Sequence, residues 1–500
     1  MNRTEISTLA LVLTIAAGCG YLPSVGPDYE AHDLELPQYA MPDAGFATTN
    51  LTATCEYKVA ESNDDLRVTL SGDTLALWWR RFDDPVLAEL VEGAVTNNLS
   101  YRMSLERLVS ANYELRGSYA AFLPKFSLGG LWKRSVYRPQ SSSSGEAFHQ
   151  NAQQATLDGN WEIDIFGGSR RATEMAIAKA EAAGWTVADA WVSLTTQIGI
   201  EYITLRTTQA RLEVARTNLV LQSETYEILK SRLDSGIGDE LAVNQSKYIV
   251  DQTRATIPSL LAQEEQLKNS LAILYGTIPG SIHGMLAPLA DRRDWLLEPA
   301  KIDEVPLDMI RSRPDVKIAE RQLAAATAAI GVAESQWYPK FLINGTVGYA
   351  SKEGVRLFDK ESFFATLGPS VSWPILQGGA IYANVMSMQA KMNEAALAYE
   401  RSLEVAYGDV RNAYAAYTQE YHRYQALQGA VKAAQDAVTI SKDLYKNGLR
   451  DFTAVIDAQR SLLSLEEQLV LSRGQITQNA IALYRALGGG IEQNGRALDD

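Results

Sequence analysis

The sequence predicts a mixed α/β membrane protein that is internally duplicated. Each half supplies one helix, one strand pair and one very long helical hairpin. Three observations lead there. Residues 154–168 (QATLDGNWEIDIFGG) alternate strictly, with Gln154, Thr156, Asp158, Asn160, Glu162 and Asp164 on one side and Ala155, Leu157, Gly159, Trp161, Ile163 and Ile165 on the other. Segments recur: FLPKFSLGG from Phe122 is answered by WYPKFLING from Trp337, and GIGDELAV from Gly236 by GLRDFTAV from Gly448, at offsets of about 210–215 residues. Finally, residues 169–235 and 380–447 hold no proline and are rich in Ala, Leu, Glu, Gln and Arg.

In chain order, the start MNRTEISTLALVLTIAAGCG has Arg3, a short apolar run and small residues before Cys19, the outline of a signal peptide. Ala16-Ala17-Gly18-Cys19 resembles a bacterial lipobox with Ala in place of the usual Leu, which makes Cys19 the expected lipid attachment site. Gly20 after the cysteine favours the outer membrane by resemblance to sorted lipoproteins. The other cysteine, Cys55, then has no partner in the chain and no disulfide framework is expected.

Helices are expected over 98–121 and 313–336, each leading into a Pro-Lys-Phe. The two proline-free stretches read as rods of roughly 100 Å at 1.5 Å per residue. Charges recur along both, so neither is a transmembrane helix, and such rods pack laterally as coiled coils. Gly236 and Gly448 sit where each rod reverses, as helix caps do. Antiparallel helices over 240–275 and 452–487 follow, with Pro258 expected to kink or divide the first.

The strands are read as 125–136 and the 154–168 pattern in the first half, joined by the polar loop RPQSSSSGEAFHQ, and as 340–349 and the SFFATLGPSVSWPI stretch in the second. In the last of these Phe363, Ala365, Leu367, Val371, Trp373 and Ile375 share one face. An ordinary sheet would bury that face on short amphipathic helices, but the helices are committed as rods. Strands near ten residues, aromatic residues at their ends and apolar/polar alternation fit a transmembrane barrel instead, with the Trp161 face on lipid and the Asp158 and Asp164 face on a water-filled lumen. Four strands cannot close a barrel and an open edge does not survive in lipid, so closure requires further copies of the chain.

Several function classes are disfavoured. A formal net charge of −14 argues against nucleic acid as a partner. His32, His149, His283 and His422 share no metal-ligand spacing, and neither a phosphate loop nor a nucleophile elbow is present, so neither an enzyme nor a cofactor is expected.

The chain is similar to outer-membrane factors of the TolC/NodT type, the exit ducts of tripartite RND-type efflux systems. The resemblance rests on the Cys19 region with Val25-Gly26-Pro27-Asp28-Tyr29, WWRRFDDPVLAELV from Trp78, WEIDIFGGSRRA from Trp161, RPDVKIAERQL from Arg313, YKNGLRDFTAVIDAQRSLL from Tyr445, and LYRALGGG ending at Gly490. His32 and Ile491 depart from the pattern, and residues 31–69 are longer and more polar than it leads one to expect.

The resemblance implies a homotrimer in the outer-membrane lipid. A twelve-stranded barrel would continue into a helical coiled-coil tunnel through the periplasm, docked by a periplasmic adaptor and an inner-membrane RND-type transporter. It implies a periplasmic gate at Asp457 and Arg460, adaptor docking at Gly236 and Gly448, and a candidate latch at Tyr445 and Arg450. The latch's carboxylate partner is replaced by Ala242, with Asp239 as a substitute. Gln245 stands at the position equivalent to Asp457. The chain then divides into 1–18, signal peptide; 19–75, lipid-anchored extended segment; and 76–280, first repeat (β-hairpin 125–166, helical hairpin 169–276). There follow 281–302, linker; 303–488, second repeat (340–376 and 380–487); and 489–500, tail. The alternative is a lipid-anchored periplasmic coiled-coil scaffold without a pore, which would need no lipid-facing Trp161, Trp373 or Phe363.

Overall fold

The computed structural model describes residues 24–29, 77–137, 148–288, 307–351 and 356–489. Cys19, His32, Cys55, the 31–69 segment, most of the linker and nearly all of the tail lie outside them. The elements run α1 (Pro85–Asn97), α2 (Leu99–Tyr119), β1 (Lys125–Tyr137), β2 (Phe148–Ile163), α3 (Gly168–Asp234), α4 (Glu240–Tyr275), α5 (Leu307–Arg311), α6 (Pro314–Glu334), β3 (Lys340–Ser351), β4 (Phe363–Ser372), α7 (Ala380–Lys446) and α8 (Phe452–Ala486). The two rods are each 67 residues long. No helix among the described residues is long and apolar enough to cross a membrane.

The chain forms two compact units, and each draws on both repeats: residues 1–34, 107–184 and 318–400 in one, 35–106, 185–317 and 401–500 in the other. The first unit holds one antiparallel sheet in the order β1-β2-β3-β4. Both hairpins therefore join into a single sheet whose outer strands, β1 and β4, have unpaired edges within the chain.

In the second unit the core is nucleated by the WWRRF segment. Trp78, Trp79 and Phe82 are buried with Leu87, Leu90, Val91 and Ala94, the apolar stripe of α1. Asp84 caps α1, its Oδ1 accepting from the Val86 and Leu87 amides at 2.9 and 3.4 Å, and Pro85 occupies the first helical position where no N–H is needed. The other carboxylate oxygen, Oδ2, accepts from the buried Tyr202 hydroxyl at 2.6 Å. Trp78 stacks on Tyr484 with ring centroids 6.2 Å apart, and Arg81 donates to the Tyr484 hydroxyl at 2.8 Å. Two motifs at opposite ends of the chain, WWRRF and LYRALGGG, are thus one packing unit.

A second polar knot lies at Arg313. Its guanidinium is forked onto Asp315 (Nε–Oδ1 3.0 Å, Nη2–Oδ2 2.8 Å), reaches Asp409 at 3.1 Å, and donates to the carbonyl of Ala486 at 2.8 Å. Bidentate pairing is what an arginine, and no lysine, offers a carboxylate.

The structure corrects three expectations. β2 begins at Phe148, so Phe148-His149-Gln150 of the expected polar loop belongs to a strand; backbone pairing with β1, down to Tyr137↔Phe148, extends it beyond the alternating residues. β4 ends at Ser372, leaving Trp373 and Ile375 outside it. Pro258 does not divide α4, which runs unbroken from Glu240 to Tyr275. Pro258 and Arg254 are both exposed, so the carbonyl freed by the missing N–H is not trapped in a core.

Removing the Arg313 guanidinium unpairs two carboxylates and strands the Ala486 carbonyl. Asp315 and Asp409 are about half exposed and regain water, so the cost comes chiefly from the bare carbonyl and lost packing. Arg313→Ala is expected to cost about 1–3 kcal/mol, measured by denaturant unfolding of the detergent-solubilised protein. A loss under about 1 kcal/mol would mean that the knot is a solvated surface pair.

Candidate functional site

Three places gather the residues singled out by the sequence. The first is the sheet. Its register places Phe126↔Gly159↔Gly345↔Leu367 and Leu128↔Leu157↔Val347↔Ala365 in successive cross-strand rows on one face. Trp161, Ile343 and Pro369 make another row of that face, and Ile163, Phe341 and Val371 the next. This face is exposed as well as apolar: Leu128 is 85% and Leu367 82% accessible. Its two central glycines are covered by neighbours. The Phe126 ring lies 3.0 Å from where a Cβ on Gly159 would stand, and Leu367 lies 3.2 Å from the corresponding point on Gly345. Large edge-strand side chains leaning over central glycines keep the rows filled without a bulge.

The opposite face is a hydrogen-bonded polar net. Asp158 accepts from Thr156 at 3.0 Å and from Thr346 at 2.7 Å. Asn160 donates to Asn344 at 2.6 Å, Asn344 donates to Ser370 at 2.8 Å, and Lys340 pairs with Glu162 at 3.1 Å. Leu131, Leu342 and Phe364 also fall on this face by register and break its polarity locally. Asp164, expected beside Asp158, lies just past β2, where it accepts from the Arg170 backbone amide at 2.9 Å.

Trp161 requires a correction. It belongs to the apolar rows, yet it is only 8% exposed, and its indole N–H donates to the Phe122 carbonyl at 3.0 Å. Trp373 does the same to Trp337, also at 3.0 Å. Phe122 and Trp337 are equivalent positions ahead of the two Pro-Lys-Phe segments, so the duplication preserves one anchor in both halves. A tryptophan offers an apolar body and one obligatory donor, and here the donor ties each returning strand to the helix exit before its partner.

The second place is the attachment of residues 24–29. Arg171, almost buried, donates to the carbonyls of Val25 (3.1 Å) and Gly26 (3.0 Å) and pairs with Asp28 (2.6 Å) and Glu174 (2.7 Å). The Val25 amide donates to the Phe166 carbonyl at 3.2 Å. Gly26, at φ +91°, lies against Gly331, where a side chain on either would meet backbone. The Arg321 guanidinium lies 5.5 Å over the Tyr29 ring, and burial together with Glu320 pushes the Tyr29 phenol up to about 12. The VGPDY motif is thus clamped against α3 and α6. Sequence reading matched this motif without finding its partners; the arginine pair of GGSRRA was the available signal.

The third place is the pair of hairpin turns. α3 and α7 end in the same Schellman arrangement. Gly236 donates to Leu233 at 2.9 Å and Ile237 to Arg232 at 3.0 Å; Gly448 donates to Tyr445 at 3.0 Å and Leu449 to Leu444 at 2.9 Å. Both glycines have positive φ (+74° and +70°), and nothing stands within 4 Å of a Cβ added at either. The next residues, Ile237 and Leu449, are 71% and 69% exposed. Beneath the turns Leu229, Ala242, Val243, Ile249, Phe452, Val455 and Ile456 form one buried cluster, with Tyr445 packed against it.

The candidate gate and latch residues are only partly brought together. Asp457 and Arg460 are both exposed on α8, and no ion pair joins them. Arg460 instead lies 5.2 Å over the Tyr248 ring. Tyr445 meets Phe452 edge-on at 5.1 Å and receives Arg232 at 5.5 Å, while Arg450 is exposed. Asp239 is occupied as the cap of α4, accepting from the Leu241 amide at 3.0 Å. Ala242 is buried in the cluster under the turns, a place that would not suit a carboxylate.

The assignment of faces is tested by substitution. Leu128→Arg is expected to cost about 2–4 kcal/mol and to lower the yield of assembled protein in the outer membrane. Asp158→Asn keeps one hydroxyl bond as acceptor and can reverse the other, its amide donating to the threonine oxygen. It should assemble normally, while lowering cation selectivity in planar bilayers. Normal assembly of Leu128→Arg would place that face away from lipid.

Compared with known proteins, the chain matches a sequence model described as "Outer membrane efflux protein" over residues 90–277 and 305–489. It is 30% identical to a nodulation protein T of Rhizobium leguminosarum bv. viciae, over 84% of this chain and 86% of that protein. It is 29% identical to a toluene efflux pump outer membrane protein of Pseudomonas putida, over 83% of this chain and 85% of that one. Among solved structures it resembles the outer-membrane channel OprN, with a TM-score of 0.79 and 28% identity, covering 93% of this chain and 99% of that one. The outer membrane protein VceC of Vibrio cholerae gives 0.74 at 25% identity, covering 83% and 99%. With the family model spanning both repeats and these relatives matched along most of their length, the chain belongs to the outer membrane efflux protein family.

Proposed function

We propose that this protein is the outer-membrane exit duct of a tripartite efflux system: a passive channel for small molecules that opens at its periplasmic tip. The observation that carries this is the sheet. It has one apolar, exposed face, one hydrogen-bonded polar face and two open edges, the features of a barrel segment in lipid. Its strands alternate in direction, so β1 and β4 run oppositely, and a β4 of one copy can pair antiparallel with a β1 of the next without breaking the pattern. Three copies give a twelve-stranded barrel, as the family resemblance implies.

In this reading Cys19 carries the lipid, residues 19–75 form the anchored segment, and the Arg171 clamp fixes the end of the anchor to the folded chain. The repeats 76–280 and 303–488 supply one β-hairpin and one helical hairpin each. The turns at Gly236 and Gly448, with the exposed Ile237 and Leu449 beside them, receive a periplasmic adaptor, and an inner-membrane RND-type transporter supplies the energy. Asp457 and Arg460 form the gate between copies, where their exposure in a single chain leaves them available to neighbours. Tyr445 and Arg450 act as a latch without Asp239, which is committed as a cap.

The test is the double variant Asp457→Ala/Arg460→Ala, which removes both charges together and so leaves no unpaired ion. Alanine preserves the helix. Single-channel conductance in planar bilayers should rise, and cells should become sensitive to large antibiotics, with trimer melting unchanged. Glu467→Ala is the control, since Glu466 on the same helix accepts from Asn218 at 2.9 Å and is structural. Parent-like conductance from a folded trimer would remove these residues from the gate. A folded parent that gives no channel steps at all would favour the scaffold reading instead.

A further inference from the structure

Between α3 and α8 lies a partly open cavity of about 60 Å³, lined by Arg206, Thr207 and Ala210 on one helix and Arg473, Gly474 and Thr477 on the other. The helices come close here because Thr207 packs into the space where Gly474 lacks a side chain. Two cations and no carboxylate line the cavity. Arg206 is 3% exposed. One of its amino groups, Nη1, is committed, donating to the Gln209 side chain at 2.8 Å and the Ala287 carbonyl at 2.7 Å. Its guanidinium carbon lies 4.7 Å from the Tyr202 ring centre. The remaining donors, Nε and Nη2, are buried with no hydrogen-bond partner among the described residues.

A buried guanidinium with two idle donors incurs a desolvation cost that folding normally avoids. The hydroxyls at hand do not lower it by charge: Thr207 donates to the Ile203 carbonyl at 2.7 Å, and Thr477 to that of Arg473 at 3.3 Å. Asp84 and Glu264 lie one hydrogen bond further out, through Tyr202 and Gln209, and neither reaches Nε or Nη2, so these two donors are left to water or to a small anion. A cavity needs roughly 10–15 Å³ to hold one water, so this one has room for a small anion with accompanying water. We propose that the cavity is a binding site for a small inorganic anion of the halide class, held by the Nε and Nη2 donors of Arg206 between α3 and α8. Charge-assisted hydrogen bonds from a guanidinium fork are the chemistry that selects an anion there. The site is independent of the channel reading, and its role is to join two helices of one chain.

The test uses the full-length purified protein in detergent, with thermal unfolding followed in sodium chloride, bromide and gluconate at equal ionic strength. The parent should show a saturable rise in melting midpoint with chloride or bromide over gluconate, and Arg206→Gln should lose most of it. Equal midpoints in all three salts, or an undiminished rise in the variant, would overturn the proposal. If Arg206→Gln does not fold, crystals of the parent grown in bromide decide the matter. An anomalous peak within hydrogen-bond distance of Arg206 Nε or Nη2 supports the site, and only water there overturns it.

Discussion

Backbone N–H and C=O groups on a sheet edge have no water to bond in hydrocarbon, and each left bare costs several kcal/mol. β1 and β4 present two such edges beside a face where Leu128 and Leu367 stand almost fully exposed. In the proposed barrel the apolar rows draw the sheet into lipid, and the edges then require further copies of the chain. The remaining features answer these demands. The even number of strands lets copies join antiparallel, the covered glycines Gly159 and Gly345 keep the rows continuous, and Trp161 and Trp373 tie the strands to their helix exits.

Duplication supplies these devices in pairs and then lets the pairs diverge. The Schellman turns at Gly236 and Gly448 use the same bonds, and the two tryptophan anchors use equivalent carbonyls at the same 3.0 Å. The residues that follow the turns differ. Asp239 caps α4 with its side chain, whereas Asp451 opens α8 without a side-chain cap bond. Ala242 is buried, and Gln245 stands where the other half has Asp457. The equivalent turns therefore carry different chemistry on the same backbone, and the acidic group singled out for a gate occurs once per chain.

Much of this was legible in the sequence because it is periodic. Period-2 alternation located the β2 core and its apolar face, and freedom from proline located α3 and α7 to within a residue or two. What escaped was set by pairing or by distant partners. β2 starts at Phe148 because Tyr137 on β1 pairs there, and no local pattern marks it. Pro258 reads as a break, yet its exposed setting tolerates the lost bond. The clamp of Arg171 on Val25 and Gly26, the knot of Arg313 on Asp409, and the stacking of Trp78 on Tyr484 join residues far apart in the chain. Motif reading identified these segments but could not connect them. At the candidate gate, sequence spacing put Asp457 and Arg460 on neighbouring turns, while the arginine found the face of Tyr248.

The central claim is that the open edges of β1 and β4 pair between copies, and disulfide cross-linking tests it most directly. With Cys55 replaced by serine, Ala365→Cys on β4 would be combined in turn with Phe126→Cys, Leu128→Cys and Gly130→Cys on β1, and the protein oxidised in isolated outer membranes. The account predicts a cross-link at one of these registers and a covalent ladder that stops at a closed ring of three. An absence of cross-links at every register in folded, membrane-inserted protein, or a ladder that never closes, would contradict it.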